Sequence, residues 1–250
     1  MMMKKFLLPF GLGLVAASLF SLPVSAVPIS ATNVSGIWTA TTPGSSVVSG
    51  INTDTIKWGH PVYWHKQSGY KFDGFAPPSF PIEESTPFNL GAFIHFNYPV
   101  TGSTLESASL KVSTTLSING TTKSIDSLFD FVHWETVNHP YYGRCPNGGY
   151  DGDSLNRYGC ADQVTFTRNE GASQEFILGN TAYYLDIAGF FYNDELASEF
   201  WTKEKSKNYA LLAGVVKTRT IEVPEPGTVA LLGLGLAGLG FARRRKPEFN

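Results

Sequence analysis

The sequence predicts an all-β protein, folded as an antiparallel β-sandwich of the jelly-roll type. Long amphipathic helix patterns are nearly absent, and short runs rich in Thr, Ser, Val, Phe and Tyr are broken by Gly, Pro and Asn. Residues 110–118 alternate between apolar and polar, as a half-buried antiparallel strand does, and Asn119-Gly120 supplies a turn. Many short strands separated by turn signals are typical of sandwiches and jelly rolls.

The predicted strands are short and spread over most of the chain. Near residues 194–205 the side chains of Glu195, Leu196 and Ala197 favour a helical turn, although only weakly. The strands are expected at residues 36–40, 55–58, 70–75, 89–98, 107–118, 125–135, 162–167, 173–178, 182–192 and 209–222.

The N-terminus has the pattern of a secretory signal peptide. Met3-Lys4-Lys5 is basic, residues 6–20 are apolar, and Val24-Ser25-Ala26 is a small-residue cleavage site. These three parts in this order predict a signal peptide over residues 1–26, since the apolar run is too short for a lasting membrane span.

The C-terminus combines a proline-rich motif, an apolar run and a basic cluster. The apolar run would be about 22 Å long as a helix, shorter than the roughly 30 Å hydrocarbon core of a bilayer. A basic cluster directly after it is expected to stay cytoplasmic, with everything upstream outside. The residues that carry the motif and the cluster are Val223, Pro224, Glu225, Pro226, Arg243, Arg244 and Arg245.

This C-terminal segment, over residues 223–250, resembles the PEP-CTERM sorting domain. The resemblance implies an exosortase, an integral-membrane sorting enzyme, as a partner that recognises the motif and cuts near it. It also implies an organism that makes exopolysaccharide and forms biofilms. An ordinary single-span anchor is the alternative, because it obeys the same rules of charge and length. The sequence thus predicts transient anchoring in the inner membrane by a short transmembrane helix.

The charge between the two signals excludes one class of partner. Residues 27–222 carry 13 Lys and Arg against 19 Asp and Glu, a net charge of −6, whereas the whole chain has −2. A nucleic-acid-binding domain needs a basic face, so we expect no nucleic acid. A segment of this length can bury one substantial core, and we expect residues 27–222 to form one extracellular domain.

Both cysteines lie in the predicted extracellular domain. In an oxidising compartment Cys145 and Cys160 are most simply a disulfide. Closing this loop of about 15 residues stabilises the fold by on the order of 3 kcal/mol in the chain-entropy model. A metal-binding pair and free thiols are the alternatives.

Several segments of the middle domain show a second resemblance. Ser68-Gly69-Tyr70-Lys71-Phe72-Asp73-Gly74 is followed by Asn89-Leu90-Gly91-Ala92-Phe93-Ile94-His95-Phe96-Asn97 and later by Gly159-Cys160-Ala161-Asp162. These segments resemble the THxN group of PEP-CTERM proteins, which is similar to the choice-of-anchor group. The residues that match its pattern are His95, Asn97, Glu135, Asn138 and Asp162, whereas Ile94 stands where the pattern has Thr.

His95 and Asn97 are two residues apart on a predicted strand. They therefore share a face with Phe93. Such a polar pair is either a ligand or glycan contact, or a hydrogen-bonded strut that ties the strand to the long loop at residues 138–160. Buried polar groups are usually hydrogen-bonded within the protein, which favours the strut.

Asp151, Asp153 and Asn156 lie in the loop between the cysteines and offer oxygen ligands for calcium. Asp151-Gly152-Asp153 resembles the start of a calcium loop, but the glycine and the glutamate that complete an EF-hand do not follow. Asx residues also shape turns without any metal. We expect no cofactor, with calcium as the alternative.

The sequence contains no motif that indicates catalysis. It has no G-x-S-x-G elbow, P-loop, dinucleotide fingerprint or H-E-x-x-H motif. His133, Glu135 and His139 suggest an acid/base or metal site only weakly.

We therefore predict an exported cell-surface or extracellular-matrix protein without enzymatic activity. A polysaccharide hydrolase that uses Glu135 and Asp162 is one alternative. The other is a carbohydrate-binding module with exposed aromatic residues that stack on sugar rings. The aromatic candidates are Trp58, Tyr63, Trp64, Tyr141, Tyr142 and Tyr150.

Overall fold

The computed structural model describes residues 27–62, 66–75, 80–139, 142–167, 173–192, 195–222 and 228–244. Fifteen strands and one α-helix occur within these ranges, together with a 3₁₀ turn at Ser154–Asn156. The strands are β1 (Ile29–Thr42), β2 (Thr55–Trp58), β3 (His60–Pro61), β4 (Ser68–Gly74), β5 (Phe80–Ile82), β6 (Phe88–Asn97), β7 (Val100–Thr101), β8 (Ser107–Ile118), β9 (Thr121–Trp134), β10 (Asp162–Thr167), β11 (Phe176–Leu178), β12 (Thr181–Tyr192), β13 (Glu195–Ala197), β14 (Glu199–Thr202) and β15 (Ser206–Thr220). The helix is α1 (Thr228–Arg244).

The strands form two large antiparallel sheets in a sandwich-like arrangement, which confirms the predicted all-β fold class. A six-stranded sheet has the order β14-β10-β9-β8-β1-β5, and a seven-stranded sheet has the order β11-β12-β15-β6-β4-β2. Strand β13 pairs with β12, and β3 pairs with β7 as a small separate ribbon.

The core lies between the two sheets and is rich in aromatic side chains. Along β8 every second residue is buried, from Ala108 to Ile118, as the alternating sequence predicts. Phe93 on β6 meets Phe131 on β9 with ring centroids 5.0 Å apart, and Trp38 packs edge-on against both. Apolar burial of this kind is the main stabilising contribution to such a fold.

The predicted helical turn near residues 194–205 is wrong. Glu195–Ala197 pairs with β12, and Glu199–Thr202 pairs with β10, so both segments are strands. Phe200 and Thr202 are buried in the core. The weak helix preference of Glu, Leu and Ala is outweighed here by strand pairing and by burial of the alternate side chains.

The C-terminal segment contains the predicted helix. The described side chains of α1, between Leu231 and Phe241, are exposed. No helix in the described part of the chain is both long and apolar enough to cross a membrane. The transmembrane role therefore stays a prediction. Residues 1–26, residues 223–227 and Arg245 lie outside the described residues, and with them the signal peptide and the Pro-Glu-Pro motif.

Candidate functional site

A cluster of buried polar side chains fills one end of the sandwich interior. It lies where β6, β9 and β14 end and where β10 begins, so it lies between the two sheets. Residues two apart on a strand share a face, so the members on strands point inward in the same way as apolar core residues such as Phe93 and Phe131. The buried polar members are His95, Asn97, His133, Thr136, Asp162, Thr202 and Glu204.

His95 is fixed by a hydrogen bond across the two sheets. Its Nδ1 is 2.8 Å from Oγ1 of Thr202, and that hydroxyl donates to the backbone oxygen of Asp162 at 3.2 Å. A hydroxyl has one hydrogen, so Nδ1–H of His95 must donate to Thr202. Nε2 is then left with a free lone pair, and it has no hydrogen-bond partner among the described residues.

Burial, and next the neighbouring His133, lower the pKa of His95 well below its ordinary value of 6.5. The imidazole of His95 is therefore neutral at neutral pH, which agrees with a proton on Nδ1 and a lone pair on Nε2. Asn97 adds a second bond to the same strand, because its Nδ2 donates to the backbone oxygen of Thr202 at 3.2 Å.

His133 stands between a tyrosine and a glutamate. Its Nδ1 lies 2.6 Å from the hydroxyl oxygen of Tyr70, and its Nε2 lies 3.3 Å from Oε2 of Glu135. His133 is fully enclosed, whereas the Glu135 side chain is 28% exposed. Glu135 is thus the member of the cluster that reaches solvent. Burial, and then the charges of Asp162 and Glu135, raise the pKa of Tyr70 well above 10.

The carboxyl group of Asp162 is buried in the interior of the sandwich. Its Oδ1 accepts a hydrogen bond from the backbone N–H of Thr136 at 2.8 Å, whereas Oδ2 is buried and has no N–H or hydroxyl donor in the described chain. The Asp162 and Glu204 carboxyl groups form a hydrogen bond when they share a proton. Burial raises the pKa of Asp162 from its ordinary 3.8 to about 9, and the charges of Glu135 and Glu204 add to this effect. Burial, followed by the charge of Glu135, raises the pKa of Glu204 to about 7.

Three of these side chains are arranged so that they can hold a metal ion. One potential ligand atom from each of His133, Glu135 and Asp162 lies within 4.8 Å of the other two. Imidazole nitrogen and carboxylate oxygen are both common ligands of zinc and related ions.

The residues of the THxN resemblance lie in and around the cluster. His95 and Asn97 do form hydrogen bonds within the protein, but these reach Thr202 on β14 rather than the loop at residues 138–160. Asn138 packs closely against Gly159. A Cβ atom at position 159 would be only 2.3 Å from Oδ1 of Asn138. Glu135 and Asp162 are two of the three carboxyl groups of the cluster, and Glu204 is the third.

The loop between the cysteines is held by covalent and polar contacts. Cys145 and Cys160 form the predicted disulfide. Asn147 and Asn156 exchange two amide hydrogen bonds of 2.9 and 3.0 Å, and Asn156 also accepts from the backbone of Ala161.

The side chains proposed for calcium point to separate partners. Asn156 is fully engaged by the amide pair just described, and Oδ2 of Asp151 lies 3.0 Å from Nδ1 of His139. Asp153 is exposed and makes no capping bond to the 3₁₀ turn. Calcium binding by this loop stays an untested alternative.

Of the aromatic residues predicted to be exposed, Trp58 is fully buried, so that prediction is wrong. Its ring stacks on His95 and meets His133 edge-on. Tyr142 and Tyr150 are exposed as expected. Tyr63, Trp64 and Tyr141 lie outside the described residues.

An aromatic pair that the sequence reasoning missed, with one exposed and one half-buried ring, lies on the outer face of the six-stranded sheet. Trp134 of β9 and Trp201 of β14 are both in register with Gln163 of β10, which lies between them. Their ring centroids are 6.3 Å apart, and Trp134 is 49% exposed. We call Trp134, Gln163 and Trp201 the aromatic strip.

The sequence did not indicate the cluster residues Thr136, Thr202 and Glu204, nor Tyr70, which contacts the cluster through His133. Thr202 and Glu204 lie in the segment predicted to be helical, so no face could be assigned to them. His133 and Glu135 did carry a signal, because they are two residues apart in the predicted strand 125–135 and are thus expected on one face. In the structure β9 ends at Trp134, and Glu135 follows it directly.

The comparisons with known proteins bear on the C-terminal segment. The family described as the PEP-CTERM protein-sorting motif matches residues 222–246. No curated protein matches the chain. The match begins at Glu222, two residues after the last strand of the sandwich ends at Thr220. The chain therefore carries a PEP-CTERM sorting signal, which marks it as an exported protein that a membrane exosortase sorts to the cell surface.

Proposed function

We propose that the chain is a non-catalytic protein of the cell surface or extracellular matrix, and that its aromatic strip contacts exopolysaccharide. The observation that carries this proposal is the pair formed by the exposed Trp134 and the half-buried Trp201 on the outer face of the six-stranded sheet. Indole rings give a large apolar surface with a polar edge, which suits the faces and hydroxyl groups of sugar rings.

The aromatic strip is held in place by its neighbours. Nε1 of Trp201 donates to Oε1 of Glu199 at 2.8 Å, and the Gln163 amide donates to the other oxygen of the same carboxylate. Three adjacent strands therefore present two rings and an amide from one surface. A preformed surface loses less conformational entropy when a ligand binds.

The sorting signal supports an extracellular location for the aromatic strip. Exosortase processing delivers the sandwich outside the cell, where polysaccharide is available as a partner. We infer that α1 and the segments around it hold the chain in the inner membrane until processing. The mildly acidic charge of the sandwich, −6 over residues 27–222, is also typical of a surface that does not bind nucleic acid.

The hydrolase alternative has less support from the geometry. Glu135 and Asp162 are close together, as the carboxyl groups of a retaining glycosidase are. Asp162, however, is fully buried and accepts a hydrogen bond from the backbone of Thr136. A sugar ring cannot reach that carboxyl group without opening the sandwich.

Binding of the producing organism's own exopolysaccharide tests the proposal. Trp134→Ala and Trp201→Ala are each expected to weaken binding about tenfold, which corresponds to about 1.4 kcal/mol. Tyr209→Ala is the matched control, because Tyr209 is equally exposed but lies on β15 in the other sheet. Affinity electrophoresis in gels that contain the polymer measures the change.

Three other outcomes would contradict the proposal. Equal losses in Tyr209→Ala and Trp201→Ala would mean that no particular face is used. Release of new reducing ends that Glu135→Gln abolishes would show a hydrolase instead. If the unchanged chain does not bind exopolysaccharide, its role at the surface is purely structural.

A further inference from the structure

The buried cluster has a feature that contact with polysaccharide does not explain. Nε1 of Trp58 and Nε2 of His95 have no hydrogen-bond partner among the described residues. Oδ2 of Asp162 and Oε2 of Glu204 have no N–H or hydroxyl donor there, although these two carboxyl groups form a hydrogen bond when they share a proton. Buried polar groups are normally hydrogen-bonded, because an unsatisfied one costs about 1–3 kcal/mol. Of these atoms, Oδ2 of Asp162 belongs to a residue that could bind a metal ion together with His133 and Glu135.

The charge of the cluster indicates the sign of that species. The three carboxyl groups of Glu135, Asp162 and Glu204 lie together, and two of them are almost fully buried. Within the described ranges, no Lys or Arg forms an ion pair with any of these three carboxylates. A buried carboxyl group is either protonated, as the raised pKa of Asp162 indicates for the metal-free protein, or paired with a cation. A bound cation would therefore take the place of the proton on Asp162.

The geometry points to a divalent transition-metal ion bound by Nε2 of His133 and by carboxylate oxygens of Glu135 and Asp162, and we propose this site as a zinc-type centre. The three ligand atoms lie within 4.8 Å of one another. Around an ion with bonds of about 2.1 Å, neighbouring ligands are roughly 3–4 Å apart. The 3.3 Å between His133 and Glu135 already fits, so closure around an ion needs only a small movement of Asp162.

The surroundings of His133 suit a ligand role. Its Nδ1 lies 2.6 Å from the hydroxyl oxygen of Tyr70, so the ring is fixed and Nε2 is the nitrogen that faces the carboxylates. Histidines that bind metals nearly always have such a partner on the second nitrogen. Asp162 is positioned in the same way, by the backbone N–H of Thr136.

The ligand set selects the class of metal. Calcium prefers six to eight oxygen ligands, whereas one imidazole with two carboxylates suits zinc and its neighbours in the first transition row. Three protein ligands also leave a fourth position of a tetrahedral site open to water. The partly exposed side chain of Glu135 provides the route for the ion from solvent.

Zinc titration of the full chain tests this site. The protein is purified in detergent micelles without a polyhistidine tag, stripped with EDTA, and titrated with Zn²⁺ in a calorimeter. One ion per chain is expected, with binding at least about tenfold weaker in Asp162→Asn and in Glu135→Gln. Asn at position 162 can still accept the Thr136 hydrogen bond, so this variant should keep its fold. Asp153→Asn is the matched control and should bind Zn²⁺ as the unchanged chain does.

Substitution with Co²⁺ gives a second readout, since visible absorption reports nitrogen and oxygen ligands around the ion. If Zn²⁺ does not bind to the unchanged chain, the proposal is wrong. Zn²⁺ binding that survives in both Asp162→Asn and Glu135→Gln, or that falls equally in Asp153→Asn, would also overturn it. If Asp162→Asn does not fold, Glu135→Gln alone decides, because its side chain is partly exposed. Loss of polysaccharide binding by Trp134→Ala or Trp201→Ala has no bearing on this result.

Discussion

His95 and His133 face each other across the interior of the sandwich, with ring centroids 5.2 Å apart and ring planes at 88°. One belongs to the seven-stranded sheet and the other to the six-stranded sheet. His95 bonds to Thr202 in the six-stranded sheet, and His133 bonds to Tyr70 in the seven-stranded sheet. The two sheets are therefore joined at this end by reciprocal polar bonds, next to the apolar core around Phe93 and Phe131.

Thr202 is the residue on which two of these bonds depend. Thr202→Val keeps the shape of the side chain but removes the partner of His95 Nδ1 and the donor to the Asp162 carbonyl. A buried group left without its partner costs about 1–3 kcal/mol, so the free energy of unfolding should fall by that amount. Urea denaturation measures it.

Thr122→Val is the control for this change, because Thr122 is exposed on β9. It should alter the free energy of unfolding by no more than about 0.5 kcal/mol. Equal effects of the two substitutions would mean that the bonds of Thr202 make no net contribution.

The fold was more predictable from the sequence than the cluster was. Strand β8 could be predicted because its alternation is local and its burial follows residue by residue. Strand β14 was missed because Glu199–Thr202 becomes a strand only through pairing with β10, which a propensity scale does not contain.

The cluster depends on contacts between residues that are distant in sequence. Thr202 is 107 residues from His95, and His133 is 63 residues from Tyr70. Spacing along the chain could show that His133 and Glu135 share a face, but not that Asp162 lies opposite them. For the same reason Trp58 was expected to be exposed, although the fold places it against both histidines.

The two faces of β9 should respond very differently to truncation. Phe131 is fully buried between Trp38 and Phe93, so Phe131→Ala should cost about 3–5 kcal/mol of unfolding free energy. Trp134 lies on the outer face of the same strand, and Trp134→Ala should cost less than about 1 kcal/mol. Thermal and urea unfolding of both variants provide the measurement. A large loss in Trp134→Ala would show that the aromatic strip serves stability.

The disulfide should stabilise the loop next to Asp162. Cys145 and Cys160 are 15 residues apart, and the closure of such a loop contributes about 3 kcal/mol in the chain-entropy model. The double variant Cys145→Ala, Cys160→Ala should lose about 2–4 kcal/mol. The unchanged protein in reductant should unfold at nearly the same urea concentration as the double variant. A midpoint that is insensitive to reductant would contradict this expectation.

Processing should change both ends of the mature protein. Mass spectrometry of protein from cells and from medium should show loss of residues 1–26 and a new C-terminus near Pro224-Glu225-Pro226. Replacement of these three residues by alanine should preserve the tail through Asn250. Glu248→Ala, outside the matched residues 222–246, is the control and should be processed normally. An intact tail in the unchanged mature protein would indicate a plain membrane anchor.

The contribution of Asp162 to the stability of the metal-free protein should fall as the pH rises. Asp162 faces Glu135, Glu204 and His133, and burial together with the two carboxylates raises its pKa from 3.8 to about 9. A carboxyl group with a raised pKa binds its proton more tightly in the folded state. Its contribution to stability is therefore greatest at low pH and is lost as the pH rises from about 4 towards 9.

Asp162→Asn removes this titration, because the amide is neutral at every pH. The difference in unfolding free energy between this variant and the unchanged protein should therefore shift in favour of the variant from pH 5 to pH 8. Urea denaturation in EDTA at both pH values gives that difference, and it cancels the titration of groups that the two proteins share. Asp153→Asn, on the exposed loop, should show no such shift. A difference that is the same at pH 5 and pH 8 would mean that Asp162 is already ionised in the folded protein, with a cation or water inside the cluster.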